Sequence, residues 1–215
     1  ERQLYLATTD FLIDLHRHQP PQEVPVLDGP ALADLTGLIG EWLLPAIGQG
    51  SATAASEIGP IIAETYAVLN DAAPVLSMRD FHAENLMWLP DRAGIARVGL
   101  LDFQDAVQTH PMYDLVSLLQ DARRDVGKTT RDAVLAQYLG HIGPKQSLFL
   151  PMYSLLGAQR ALRILGVLAR LAVQDGRPGY LRFFPRAQRH LQESLAHRPM
   201  ADLRRIVSAA FPIDD

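Results

Sequence analysis

Residues 77–105 read SMRDFHAENLMWLPDRAGIARVGLLDFQD. Apolar runs alternate here with isolated polar side chains. Val75–Ser77, Asn85–Leu89 and Arg97–Asp102 are predicted strands, and Pro90-Asp91 with Gly94 supply the turn that folds the second back onto the third. Asp80 follows the first strand, Asn85 opens the second five residues later, and Asp102 closes the third. Taken singly, Asp and Asn are common turn formers and caps. Taken together, at the ends of short apolar strands, they sit where a rigid scaffold presents side chains for chemistry.

Outward from this stretch the chain is helical. On the N-terminal side, Leu4, Ala7, Phe11, Leu12 and Leu15 predict one helix over 1–18, ending before Pro20-Pro21. His16, Arg17 and His18 read as favourable cations at its C-terminus. Residues 19–27 read as loop. Asp28 and Pro30 start a second helix with a stripe from Leu32 to Ile47, broken by Gly48 and Gly50. An Ala-rich third helix over 51–70 carries a kink or restart at Gly59-Pro60. On the C-terminal side, helices are predicted near 111–121, 128–139, 147–173, 178–196 and 199–210, and Trp42 and Trp88 are expected in the core. The fold class is α+β and mostly helical, with a small β hairpin carrying the polar loops. No linker or repeat is visible, so residues 1–215 read as a single lobe.

Composition limits the function. With 215 residues there is room for a substantial core. A net charge of −4 leaves no basic footprint for nucleic acid. The absence of cysteine removes disulfides, thiolate metal sites and a Cys nucleophile, and fits a cytoplasmic protein. No apolar run approaches the roughly 18 residues of a membrane span.

The order Arg79-Asp80, Asn85, Asp102-Phe103 is similar to that of a protein-kinase catalytic loop and its metal-binding Asp-Phe-Gly. The stretch resembles more closely the aminoglycoside phosphotransferase and choline kinase superfamily. That family's pattern is His-x-Asp-x-His-x-x-Asn, then Ile/Leu-Asp-Phe/Trp, then Asp-Pro-x-Tyr-Asp-Leu. The matching residues here are Met78 to Asn85, Leu101-Asp102-Phe103, and His110 to Leu115. Met78 replaces the family's first His, and Glu84 stands where Gly is common. DFHAENLMWL, GLLDFQDA, YDLVSLLQDARRDV and GAQRALRILGVLARL resemble the anomeric sugar kinases that act on N-acetylmuramate and N-acetylglucosamine in peptidoglycan recycling.

The resemblance implies a protein-kinase-like C-terminal lobe and transfer of phosphate from ATP, with Mg²⁺, to a small sugar. Asp80 is then the general base, and Asn85 and Asp102 are the Mg²⁺ ligands. His82, Asp105 and Arg123 are candidates for a substrate or phosphate contact; His82 reads equally as a structural histidine, and Asp105 as a cap. Asp114 reads as support for the catalytic loop. A kinase also needs a Gly-rich loop over the phosphates and a strand Lys. The sequence contains no GxGxxG, and both lysines, Lys128 and Lys145, lie after the metal loop. The expectation is that an N-terminal ATP-binding lobe is absent from this chain. Two alternatives stay open: an aminoglycoside or other small alcohol as acceptor, and a metal-dependent hydrolase built on Asp80, His82, Asp102 and Asp105.

Overall fold

The computed structural model describes residues 1–142 and 148–213. In chain order the elements are helices α1 (Arg2–Leu15), α2 (Gly29–Asp34), α3 (Leu44–Ile47) and α4 (Ala52–Leu69), then strands β1 (Val75–Ser77), β2 (Leu86–Trp88), β3 (Val98–Leu100) and β4 (Val107–Thr109). Helices α5 (Met112–Leu119), α6 (Lys128–Ile142), α7 (Phe149–Val173), α8 (Phe184–Leu195) and α9 (Ala201–Ala210) follow. The fold is α+β and mostly helical. Ser147, the expected start of the long helix, lies outside the described residues.

The chain forms two compact units, Glu1–Val26 with Asp71–Leu150, and Leu27–Asn70 with Pro151–Asp215. Among the described residues, all four strands belong to the first. β1 pairs antiparallel with β4, Val75 opposite Thr109, and β2 pairs antiparallel with β3, Leu86 opposite Leu100. The hairpin follows the sequence. β4 does not: it is a three-residue strand whose partner lies some thirty residues earlier, so no local pattern announces it. It also takes in the 19–27 loop. The Gln108 backbone N–H donates to the Pro25 carbonyl (2.8 Å), and its side-chain amide donates to the carbonyls of Pro21 (3.1 Å) and Val24 (2.9 Å).

The buried face of α1 is Tyr5, Thr8, Thr9, Leu12 and Ile13, rotated from the predicted stripe, and Leu4 is 44% exposed. Threonine can occupy such a face because its hydroxyl bonds back along the helix; Thr9 Oγ1 donates to the Tyr5 carbonyl at 2.8 Å. Trp88 is also not core. It is 42% exposed, the Arg97 guanidinium lies 5.8 Å from its ring centre, and it lines a cavity of about 100 Å³ with Tyr5, Thr8, Leu86 and Val98. A two-stranded hairpin has too little surface above it to bury both faces. Trp42 is half-buried.

In the second unit, Asp28 caps α2 by accepting the Ala31 N–H (3.1 Å), and Ser51 caps α4 by accepting that of Ala54 (3.2 Å). The predicted second helix changes pitch, through a 3₁₀ turn at Leu35–Gly37 and a π turn at Ile39–Leu43, before α3. Pro45 supplies the reason: it has no N–H to return to the Glu41 carbonyl, and a widened turn takes up the mismatch. Helix α4, by contrast, continues through Pro60. Its stripe of Ala55, Ile58, Ile62, Tyr66 and Leu69 is buried on both sides of the proline, and that packing outweighs one lost backbone bond.

Candidate active site

The first turn of α5 holds the site together. Asp114 is 1% exposed, and its carboxylate meets three donors from the end of β1 and the loop after it. Oδ1 accepts from Ser77 Oγ (2.7 Å) and the Arg79 N–H (3.0 Å), and Oδ2 accepts from the Met78 N–H (2.7 Å). Ser117, one turn further along α5, donates its hydroxyl to the Arg79 carbonyl at 3.3 Å. These bonds fix the backbone immediately before Asp80. Buried charge-assisted bonds of this kind are short and strong. With Met78 in place of the family's first histidine, the loop is pinned by Asp114 through the Met78 backbone.

From Asp80 the bonds continue to the other two candidates. Asn85 Nδ2 donates to the Asp80 carbonyl at 3.0 Å. The Asn85 carbonyl accepts from the Leu101 N–H at 2.9 Å, one residue before Asp102. The structure thus brings the Asp80 loop, Asn85 and the Asp102 loop together by direct hydrogen bonds. Asp80 and Asn85 are half-buried and Asp102 is exposed. Gln104 Nε2 donates to Asp102 Oδ1 at 2.9 Å.

Backbone strain marks the same two loops. Among the described residues the non-glycine positions with positive φ are Arg79 (64°) and Asp102 (59°). A left-handed backbone at such residues costs energy and persists only where surrounding bonds enforce it. Sequence reading missed this strain, and missed Ser77 and Ser117. Ser77 lies 37 residues from Asp114, and nothing in either residue's neighbours signals the pairing.

His82 is 3% exposed, while its neighbour Phe81 stacks on Phe11 with ring centres 6.2 Å apart. Burial favours the structural of its two readings. Asp105 is exposed. Arg123 Nε lies 3.2 Å from Glu84 Oε2, next to Asn85 in sequence; the Glu84 side chain is largely in solvent and that of Arg123 partly so. His16 is not the helix-end cation that sequence suggests. Its Nδ1 is 2.7 Å from the Tyr138 hydroxyl, and burial, with the nearby His110 and His141, pushes its pKa down to about 4.

The donor set suits Mg²⁺. With its Nδ2 committed to the Asp80 carbonyl, Asn85 keeps its amide oxygen for a cation, and Asp102 adds a carboxylate. Mg²⁺ takes oxygen ligands and is usually held by one or two protein groups plus phosphates and water. Among the described residues no three of His, Cys, Asp and Glu are grouped to hold a metal. A hydrolase centre built on Asp80, His82, Asp102 and Asp105 therefore has no support.

Residues 1–150 match the Phosphotransferase enzyme family. The chain belongs to that family. Its relatives include the N-acetylmuramate/N-acetylglucosamine kinase of Caulobacter vibrioides, 39% identical over the whole of this chain and 62% of that protein. The enzyme of the same name from Pseudomonas aeruginosa is 32% identical over 61% of this chain and 40% of that protein. This phosphotransferase-family chain thus spans about 62% or less of the relatives it matches. Its fold is similar to that of a choline/ethanolamine kinase family protein from Mesorhizobium loti, with a TM-score of 0.59 at 14% identity, covering 95% of this chain and 66% of that one. No helix among the described residues is long and apolar enough to cross a membrane.

Proposed function

We propose that this chain is the catalytic lobe of an ATP-dependent kinase that phosphorylates the anomeric hydroxyl of N-acetylmuramate or N-acetylglucosamine. The observation that supports this reading is the bonded series Asp80–Asn85–Leu101, which links the loops of one candidate base and two candidate oxygen ligands. The names of the relatives support the amino-sugar acceptor over an aminoglycoside or a simple alcohol.

Asp80 accepts the proton of the sugar hydroxyl as that oxygen bonds to the γ-phosphorus and ADP departs. Asn85 and Asp102 would hold Mg²⁺, which when bound neutralises charge on the nucleotide phosphates. Asp114 keeps the Asp80 backbone in place, and that matters because positioning supplies most of the catalysis in phosphoryl transfer. The Gly-rich loop and strand Lys that this sequence lacks would come from a further lobe. Together with the partial coverage of the relatives, that predicts sugar phosphorylation near background for the 215-residue chain alone.

The test uses the polypeptide carrying both lobes, ATP, Mg²⁺ and a panel of amino sugars, aminoglycosides and amino alcohols. The expected product is an amino-sugar 1-phosphate. Asp80→Asn should lower kcat by at least about 10²-fold, the usual weight of a general base, with nucleotide affinity nearly unchanged. Retention of full kcat by that variant overturns the assignment of the base. Phosphorylation of another acceptor class overturns the substrate.

A further inference from the structure

Helix α5 begins in an unusual way. Pro111 has no N–H, so the first donors of the helix are those of Met112 and Tyr113. His110 takes both: its Nδ1 accepts from the Met112 N–H at 3.1 Å, and its carbonyl accepts from the Tyr113 N–H at 3.0 Å. The next residue is Asp114, whose three short bonds fix the backbone leading to Asp80.

We infer that His110 is a positioning residue for the phosphoryl transfer proposed above: as the neutral imidazole protonated on Nε2, it caps α5 and so sets where Asp114 meets residues 77–79. The inference rests on that functional reading for its kinetic consequence and on the hydrogen bonds alone for its structural one.

The choice of histidine has a physical reason. Ser, Thr, Asp and Asn are the usual caps. His110 is 5% exposed and faces Asp71 from the turn before β1 and His16 from the end of α1, with Tyr138 of α6 bonded to that His16 and Asp114 four residues along its own chain. The family pattern carries Asp at this position, but in this chain a carboxylate there would bury a further anion close to Asp114 and Asp71. An imidazole offers an acceptor without charge. Burial keeps it so by pushing its pKa down to about 4, with Asp71 opposing. The ring therefore accepts the Met112 N–H throughout the neutral range.

Two measurements test this. In the 215-residue chain, ¹⁵N NMR should show Nδ1 of His110 unprotonated and Nε2 protonated at pH 7. The Met78 and Arg79 amide signals should shift in His110→Ala and stay near wild type in His110→Asn, which keeps a side-chain acceptor. A proton on Nδ1, or unmoved Met78 and Arg79 signals in the alanine variant, overturns the inference whatever the enzyme's substrate. In the two-lobed enzyme, His110→Ala should lower kcat about tenfold, equivalent to ~1.4 kcal/mol, with the sugar KM little changed. His110→Asn should recover most of that loss. Equal impairment of the two variants overturns the positioning role. If His110→Ala does not fold, the tautomer and the asparagine variant still decide it. An enzyme inactive on every amino sugar would count against the proposed function, and the NMR result would stand separately.

Discussion

The two units are held to their shapes by different means. In the first, the backbone is fixed by buried polar atoms: Asp114 gathers Ser77, Met78 and Arg79, and Ser117 holds the Arg79 carbonyl. In the second, it is fixed by close approach of small residues. A Cβ at Gly166 of α7 would stand 2.5 Å from Leu38 Cβ, one at Gly59 of α4 would stand 3.3 Å from the Ala33 carbonyl, and one at Gly50 would stand 2.4 Å from that of Ala210. Hydrogen bonds set direction to within a fraction of an ångström and tolerate strain, as at Arg79 and Asp102. Packing sets distance and resists strain. A loop proposed to hold a catalytic base needs the first kind of control, and a helical frame can rely on the second.

Removing the anchor of the first unit should have the largest effect. Asp114→Ala takes the buried acceptor from the Met78 N–H and the Ser77 hydroxyl, while the Arg79 N–H keeps Ser77 Oγ at 3.1 Å. Each such group costs about 1–3 kcal/mol, so the variant should lose at least about 2 kcal/mol in denaturant unfolding, and an enzyme carrying the proposed second lobe should lose turnover. If Asp114→Ala keeps wild-type stability and rate, the polar bracing does not control the loop.

Gly166→Ala asks the same of the second unit. Leu38 meets the new methyl with its Cβ and its backbone, which cannot swing aside. Overpacking of this kind costs about 1–3 kcal/mol, offset by up to about 1 kcal/mol from the better helix propensity of alanine. The 2.5 Å approach to Leu38 puts the cost at the upper end of that range, so a net loss of about 2 kcal/mol is expected, with kcat per folded molecule unchanged. A specific loss of kcat would show that the division of labour between the units is wrong.

Acid should weaken the first unit through its histidines. His16 and His110 are held near a pKa of 4 by burial, against about 6.5 in the unfolded chain. As pH falls, the unfolded state therefore binds protons first. Their contribution is complete above about 6.5 and is lost as pH drops toward about 4. Between pH 7 and pH 5 each should remove about 1–2 kcal/mol of unfolding free energy, and His16→Gln should remove one share of that pH dependence. A flat stability profile across this range would mean that neither ring is buried uncharged.

The grouping of the candidate site was largely legible because spacing carries it. Asp80, Asn85 and Asp102 are separated by a turn and a local hairpin, and local pairings leave a pattern of alternating residues and turn formers. What sequence did not reveal is non-local or is set by competition. β4 has no signal of its own, and its partner is distant. Trp88 reads as core by type, yet on the hairpin it stays 42% exposed, with the Arg97 guanidinium over its ring. His16 reads as a helix-end cation until burial beside Tyr138 makes the charged form too costly. The pitch change before α3 depends on Pro45, which from sequence alone fits equally well as the first residue of a new helix.

The smallest effect tests the edge of the first unit, where polar contact is no longer buried. Arg123 and Glu84 pair at 3.2 Å with side chains 38% and 67% exposed. Exposed pairs are worth less than about 1 kcal/mol, so Arg123→Ala and Glu84→Ala should each leave unfolding nearly unchanged. Kinetics can show more than stability here, because Arg123 lies beside the turn that carries Asn85. If its guanidinium leaves Glu84 for the acceptor, Arg123→Ala should raise KM for a carboxylate-bearing sugar such as N-acetylmuramate by about 2–5-fold, in line with an exposed charge pair. KM for N-acetylglucosamine, which has no carboxylate, should hold. Equal changes for both sugars would assign Arg123 to the loop rather than to the substrate, and would place the boundary of polar control at Asn85.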